Sequence, residues 1–268
     1  MSVTVAAVQL ASPGTAEAPK PLLVLGSSLG VAVERLWAPV VPALADRYHM
    51  VGWDLPGHGR THHDAAAGSF TVADLAAAVV ELAARRRVKG VPAYYAGVSL
   101  GGATGLQVAV DHPGTFAGIA MVCSAAALGT PQAWTERAAT VRAQGTSALV
   151  EGSAARWFAP GFLDREPRVA NGLLHDLAHE VDDEGYAACC EALAAYDLRD
   201  RLGEVTDRVL VVNGAADQVA PPAAAEEVAA GVARGRAVVL PDVGHQAPVE
   251  DPGGTAEALL TLLRPDTD

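Results

Sequence analysis

A serine bracketed by glycines, Gly97-Val98-Ser99-Leu100-Gly101, stands where a β-forming run (Tyr94, Tyr95, Val98) gives way to a helical one. G-x-S-x-G in that setting is a strand–turn–helix bend that lifts one hydroxyl clear of the chain. The bend is so tight that Cβ atoms two residues before and after the serine would meet neighbouring backbone, and glycine removes them. Ser99 is then held strained at the start of a helix, where developing negative charge is favoured. A serine hydroxyl is a weak nucleophile at neutral pH, so a base has to take its proton. For this type of bend the partners follow in the order acid, then histidine.

Eight histidines compete for the role of base. His245, in Pro-Asp-Val-Gly-His-Gln, lies in a loop after the last strand and before the last helix, at the sheet edge that also carries Ser99; the glycine before it lets the backbone bend. His58, in DLPGHGRT, is the main rival and reads as a loop-packing residue near the site. Asp217, in the turn after the run Arg208 to Asn213, is the expected orienting acid, 118 residues after Ser99 and 28 before His245. The shorter gap leaves room for one helix and one strand. Asp242 is the alternative acid, although three residues from His245 it suits a cap of its own turn. An oxyanion formed at Ser99 needs N–H donors. Leu100 supplies one, and the loop Gly26-Ser-Ser-Leu-Gly30 the other, through Leu29 or else Ser28. Each such donor contributes on the order of 10²–10³ in rate.

These residues need a frame. Continuous apolar runs at Leu22 to Leu25, His49 to Trp53, Val91 to Val98, Gly118 to Cys123, Arg208 to Asn213 and Arg236 to Leu240 have the form of strands buried on both faces. Val3 to Leu10 reads as an opening strand. Helical text lies between them, at Glu34 to Arg47, Val72 to Arg87, Leu100 to Asp111, Pro222 to Val232 and Gly253 to Leu263. The alternation implies an α/β fold, with a mostly parallel sheet covered by helices. From about Thr130 to Ala195 no strand is expected and the text is helical throughout. That is too long for a crossover and reads as an inserted cap, residues 130–195, over a core formed by residues 1–129 and 196–268.

The bulk numbers narrow the classes. The chain has 268 residues and a formal net charge of −12, which argues against a nucleic-acid partner. Its one tight basic cluster, Arg85, Arg86, Arg87 and Lys89, ends a helix and complements the helix dipole. Three cysteines, two of them adjacent, argue for a reducing compartment without disulfides, and no Cys/His spacing resembles a zinc site. With no signal-like segment and no long apolar run, a cytoplasmic protein without membrane attachment is expected.

With the bend, acid turn and cap in place, the chain resembles the α/β-hydrolases and, more narrowly, the 3-oxoadipate enol-lactonases of aromatic catabolism (the β-ketoadipate pathway). GSSLG, DLPGHGRT, AGVSLGGATGLQVAVDHP, RWFAPGF and NGAADQVAPP carry the resemblance, and the cap phrases TPQAWTERAATVRAQG and EGYAACCEALAAYDLRDRL make it specific, over about Leu22 to Leu263. The family usually has Asn where this chain has Ser27, and often Arg where it has Pro56. The resemblance implies hydrolysis of a carboxylate-bearing lactone through a serine acyl-enzyme, with no metal or organic cofactor. It also implies a local cation in an otherwise acidic protein. Arg137, one helical turn from Trp134, is the expected anchor, and Arg156 with Trp157 forms a second pair. The alternatives are a broad esterase or lactonase on the same fold, and a non-catalytic small-molecule receptor. Some such lactonases are fused to a carboxymuconolactone decarboxylase domain; none is expected here.

Overall fold

Unbroken apolar runs fold into the inner strands of one sheet. A computed structural model describes residues 3–64 and 68–263. Its seven strands are β1 (Ala7–Gln9), β2 (Leu22–Gly26), β3 (His49–Trp53), β4 (Ala93–Val98), β5 (Ile119–Val122), β6 (Arg208–Gly214) and β7 (Arg234–Leu240). They form one sheet in the order β1-β3-β2-β4-β5-β6-β7, with β1 antiparallel to β3 and every other pair parallel. Every residue of β2 to β5 is buried, as strands covered on both faces require.

The core helices are α1 (Val33–Trp37), α2 (Val41–Leu44), α3 (Val72–Arg86) and α4 (Leu100–Asp111). Between β5 and β6 lie α5 (Pro131–Gln144), α6 (Val150–Trp157), α7 (Phe162–Arg165), α8 (Pro167–His179) and α9 (Asp183–Ala194), with no strand among the described residues. The chain ends with α10 (Pro222–Gly231), α11 (Ala247–Glu250) and α12 (Pro252–Leu262). Helices α3 and α4 pack on each other, while α12 packs beside α2 and against β5, β6 and β7. Among the described residues no helix is long and apolar enough to cross a membrane, and all three cysteines are free and buried.

Three expectations need correction. The helix expected over Glu34 to Arg47 is two short ones, because Pro39 and Pro42 each lack an N–H and crowd the preceding turn. The opening strand shrinks to three residues: before it the Ala6 N–H donates to Thr61 Oγ1 at 2.9 Å, and beyond Gln9 the N–H groups of Leu10 and Ala11 both donate to the Met50 carbonyl, so the ladder is broken at both ends. The last strand starts two residues early, at Arg234, and is no buried run. It is the open edge of the sheet, with only Leu240 fully buried.

Register places the site. The chain leaves β2 for β3 on one side and β4 on the other, and this reversal opens a crevice at the strands' carboxyl ends. There Gly26 lies beside Gly97, Val98 beside Val122, Val122 beside Val212 and Gly214 beside Leu240. The loops after β2, β4, β6 and β7 therefore emerge along one edge. They carry Leu29, Ser99, Asp217 and His245.

Candidate active site

Ser99 occupies the bend between β4 and α4 with φ 55° and ψ −117°. A non-glycine residue held there costs about 1–3 kcal/mol, so its surroundings must fix it. They do: the Ser99 N–H donates to Val122 O at 2.9 Å, and its carbonyl accepts from Ala103 N at 2.9 Å and from Ser124 Oγ at 2.8 Å. The flanking glycines are required for space. A Cβ on Gly97 would lie 2.3 Å from the Gly101 carbonyl carbon, and one on Gly101 would lie 2.6 Å from Ser27 O. Tyr95, buried in β4, donates its hydroxyl to Gly101 O at 2.6 Å and locks the turn from beneath.

The Gly101 N–H donates to Ser27 O at 3.1 Å and ties the bend to the loop after β2. In that loop Ser27 Oγ donates to the Val31 carbonyl. The Gly30 N–H donates to His58 Nε2 at 2.9 Å. His58 Nδ1 then carries its proton and donates it to Pro56 O at 2.9 Å. His58 is therefore not a second base. It packs beside the site as expected and also pins the backbone next to Leu29. Leu100 is the first residue of α4, so its N–H has no intrahelical acceptor. Among the described residues neither it nor the Leu29 N–H donates to a protein group.

His58 has a measurable consequence. Burial pushes its pKa down to about 4, against smaller opposing effects from the Pro56 carbonyl and Asp182. Unfolded, it titrates at about 6.5, so between those values the unfolded chain binds the extra proton. Stability from this group is complete above pH 6.5 and is lost as pH falls to 4, by roughly 3 kcal/mol. Chemical denaturation at pH 7 and pH 4.5 should show most of that loss in the wild type and a smaller one in His58→Gln.

Asp217 follows β6, and two backbone N–H groups hold it: Val219 and Ala220 donate to Oδ1 at 2.8 and 3.0 Å. His245 Nδ1 lies 2.9 Å from Oδ2 and 3.1 Å from Oδ1, with both side chains buried. An ionised Asp217 only accepts, so Nδ1 carries the proton and Nε2 is left as an acceptor. Asp242 is not the partner; it sits in the left-handed region, φ 55°, in the turn after β7. The glycine before His245 serves space rather than bending. Gly244 is absent from the positive-φ glycines, but a Cβ on it would lie 2.6 Å from Ala159 N.

Ser99 and His245 line one cavity of about 240 Å³, with Ser28 and Leu29 beside them. Its far wall comes from the helices between β5 and β6: Trp134 and Arg137 of α5, Arg156 and Trp157 of α6, and Tyr186 of α9. Both arginine–tryptophan pairs face the same space. Arg137 Nε donates to Tyr186 Oη at 2.8 Å, and its guanidinium lies 6.0 Å from the Trp134 ring centre and 5.7 Å from that of Tyr186. Arg156 Nε donates to Gly152 O at 3.1 Å. Burial, and then the like charge of Arg137, push the Arg156 pKa down. Among the described residues neither arginine meets a carboxylate.

Sequence reasoning missed Tyr186, Cys123 and Glu250. Tyr186 stands in the quoted phrase EGYAACC at an ordinary helical position, and only the fold turns it toward Arg137. Cys123 follows β5 with φ 48°, and a ligand-type atom of Cys123, Asp217 and His245 each lies within 4.8 Å of the others. Burial, and then Asp217, push the Cys123 thiol far up, so it packs as a neutral group.

Residues 37–252 match a family described as Hydrolase_4, serine aminopeptidase, S33. The chain is 32% identical to 3-oxoadipate enol-lactonase 2 of Acinetobacter baylyi over 92% of its own length and 90% of the relative's. The crystal structure of the enol-lactonase from Burkholderia xenovorans LB400 superposes with a TM-score of 0.88 at 30% identity, covering 97% of this chain and 96% of that one. A hydrolase from Pseudomonas aeruginosa PA01 does so at 0.85 and 32% identity, with 94% and 92% covered. A sheet that reverses at β2, a strained serine after β4 and these matches along almost the whole chain lead to one assignment: the protein belongs to the α/β-hydrolase family.

Proposed function

We propose that this hydrolase is a lactonase, opening 3-oxoadipate enol-lactone to 3-oxoadipate in the catabolism of aromatic compounds. The observation that carries the reading is the pair of arginines, without carboxylate partners among the described residues, in the cavity that holds Ser99. Such a pair asks for an anion, and the lactone bears one carboxylate. The enol-lactonase names among the relatives support the same substrate class.

In this reading Ser99 Oγ attacks the lactone carbonyl while His245 Nε2 takes its proton. The tetrahedral oxyanion rests on the N–H groups of Leu29 and Leu100. Collapse breaks the ring C–O bond and expels an enolate, a better leaving group than a simple alkoxide, which His245 protonates. Water then gives a proton to His245 and attacks the acyl-enzyme, and Ser99 leaves with that proton. Asp217 holds the imidazole tautomer and stabilises the imidazolium. Trp134 and Arg137 hold the substrate's far end, with Arg156 facing the same space.

Arg137→Ala should raise KM for the enol-lactone about ten- to hundred-fold with little change in kcat, the effect of losing one charge-assisted contact of roughly 1.5–3 kcal/mol. An unchanged KM removes Arg137 as the anchor. The substrate class is tested by comparing kcat/KM for the enol-lactone and for p-nitrophenyl acetate. The lactone should be strongly preferred. Preference for the neutral ester would instead identify a general esterase.

A further inference from the structure

Behind the candidate base lies a carboxylate that the proposed chemistry does not use. Glu250 ends α11, four residues after Gln246, and is half-buried. One oxygen, Oε1, accepts from the Gln246 N–H at 3.1 Å, on the chain immediately after His245. The other, Oε2, accepts from the Ala159 N–H at 2.7 Å, on the segment that follows α6. A second bond runs in parallel: the His245 N–H donates to Trp157 O at 2.8 Å. Trp157 lines the cavity, and the same indole, with Leu177, closes the space over Gly30, 3.2 Å from where a Gly30 Cβ would stand. The histidine loop is thus stapled to the wall of the cavity at two points, one of them a single carboxylate reaching both sides.

We propose that Glu250 is a positioning residue for His245, clamping the loop that carries the imidazole to the helical insertion through the N–H groups of Gln246 and Ala159. The proposal rests on the reading of His245 as the base. Burial pushes the Glu250 carboxyl up, and the backbone N–H groups of Ala159, Gly244 and Gln246 oppose this by favouring its ionised form. That negative charge also interacts favourably with a protonated His245. The other titratable groups facing the imidazole are Asp217 from the turn after β6, Cys123 from the end of β5 and Ser99 from the bend; Arg137 and Arg156 face it across the cavity. Cys123 also feels Glu250.

Glu250→Gln is the informative variant. A carboxamide keeps the volume but turns one acceptor into a donor, so it opposes either the Gln246 or the Ala159 N–H and opens one side of the clamp. The readout is the rate of Ser99 labelling by a fluorophosphonate as a function of pH, which needs no knowledge of the natural substrate. Melting temperature is measured alongside. The variant is expected to melt as a folded protein and to label about ten- to hundred-fold more slowly, as misplacement of a catalytic group does. Its acid limb should move to lower pH, because a charge that favours the imidazolium is gone. Glu250→Ala should share the shift in the limb. A folded Glu250→Gln that labels within twofold of wild type with an unmoved limb overturns the proposal. A wild type that does not label at all overturns the reading of His245 and Ser99 instead.

Discussion

Ser99→Ala is expected to lower kcat for the enol-lactone by on the order of 10⁶-fold while the protein stays folded and still binds its ligand. The size follows from the proposed mechanism: without Oγ the acyl-enzyme it invokes cannot form, and only the proposed oxyanion donors and binding contacts would remain. The stability effect should be small. The contacts that fix this residue in its strained conformation run through its backbone N–H and carbonyl, and alanine keeps both. Alanine also meets the same φ penalty as serine, so the melting temperature should move by no more than a surface substitution would move it. Steady-state assay of the variant beside calorimetry separates the two effects. Residual activity above about a hundredth of wild type would point to another nucleophile.

Asp217→Asn carries the second largest effect, a fall in kcat of on the order of 10⁴-fold with KM little changed. The structure gives the direction without ambiguity. Asp217 Oδ1 already accepts from the Val219 and Ala220 N–H groups, so that side of an asparagine must remain the carbonyl. Its NH₂ then falls where Oδ2 stands, 2.9 Å from His245 Nδ1. The amide donates to Nδ1, the imidazole proton moves to Nε2, and Nε2 can no longer accept the serine's proton. The variant should fold normally, because the size and both backbone contacts survive. Activity within tenfold of wild type would show that Asp217 does not orient the base.

How much of this the sequence discloses depends on how local each signal is. The serine bend, the acid turn and the histidine loop are short phrases whose residue types follow from backbone geometry, so their places in the chain can be read directly. Register then brings them to one edge, which alternating strands and helices already imply. The arginine–tryptophan pairs were legible as helical neighbours, and their meeting in one cavity was not, since it depends on how α5 and α6 pack. The broken helix after β2 is hidden by apolar spacing that runs on through two prolines. Strand β7 reads as buried because an edge strand and a buried one can share the same apolar residues. Gly244 reads as a bend, yet its neighbours require only an absent side chain. Glu250 could not have been found at all: its partner Ala159 lies 91 residues away, and no spacing announces that contact.

Treatment of the native protein with a fluorophosphonate, followed by peptide mass spectrometry, decides whether Ser99 Oγ is a nucleophile activated by His245. One adduct per chain is expected, on the peptide containing Ser99, abolished in Ser99→Ala and strongly slowed in His245→Ala. A correctly folded wild type that stays unmodified, or that is modified at another residue, would contradict it.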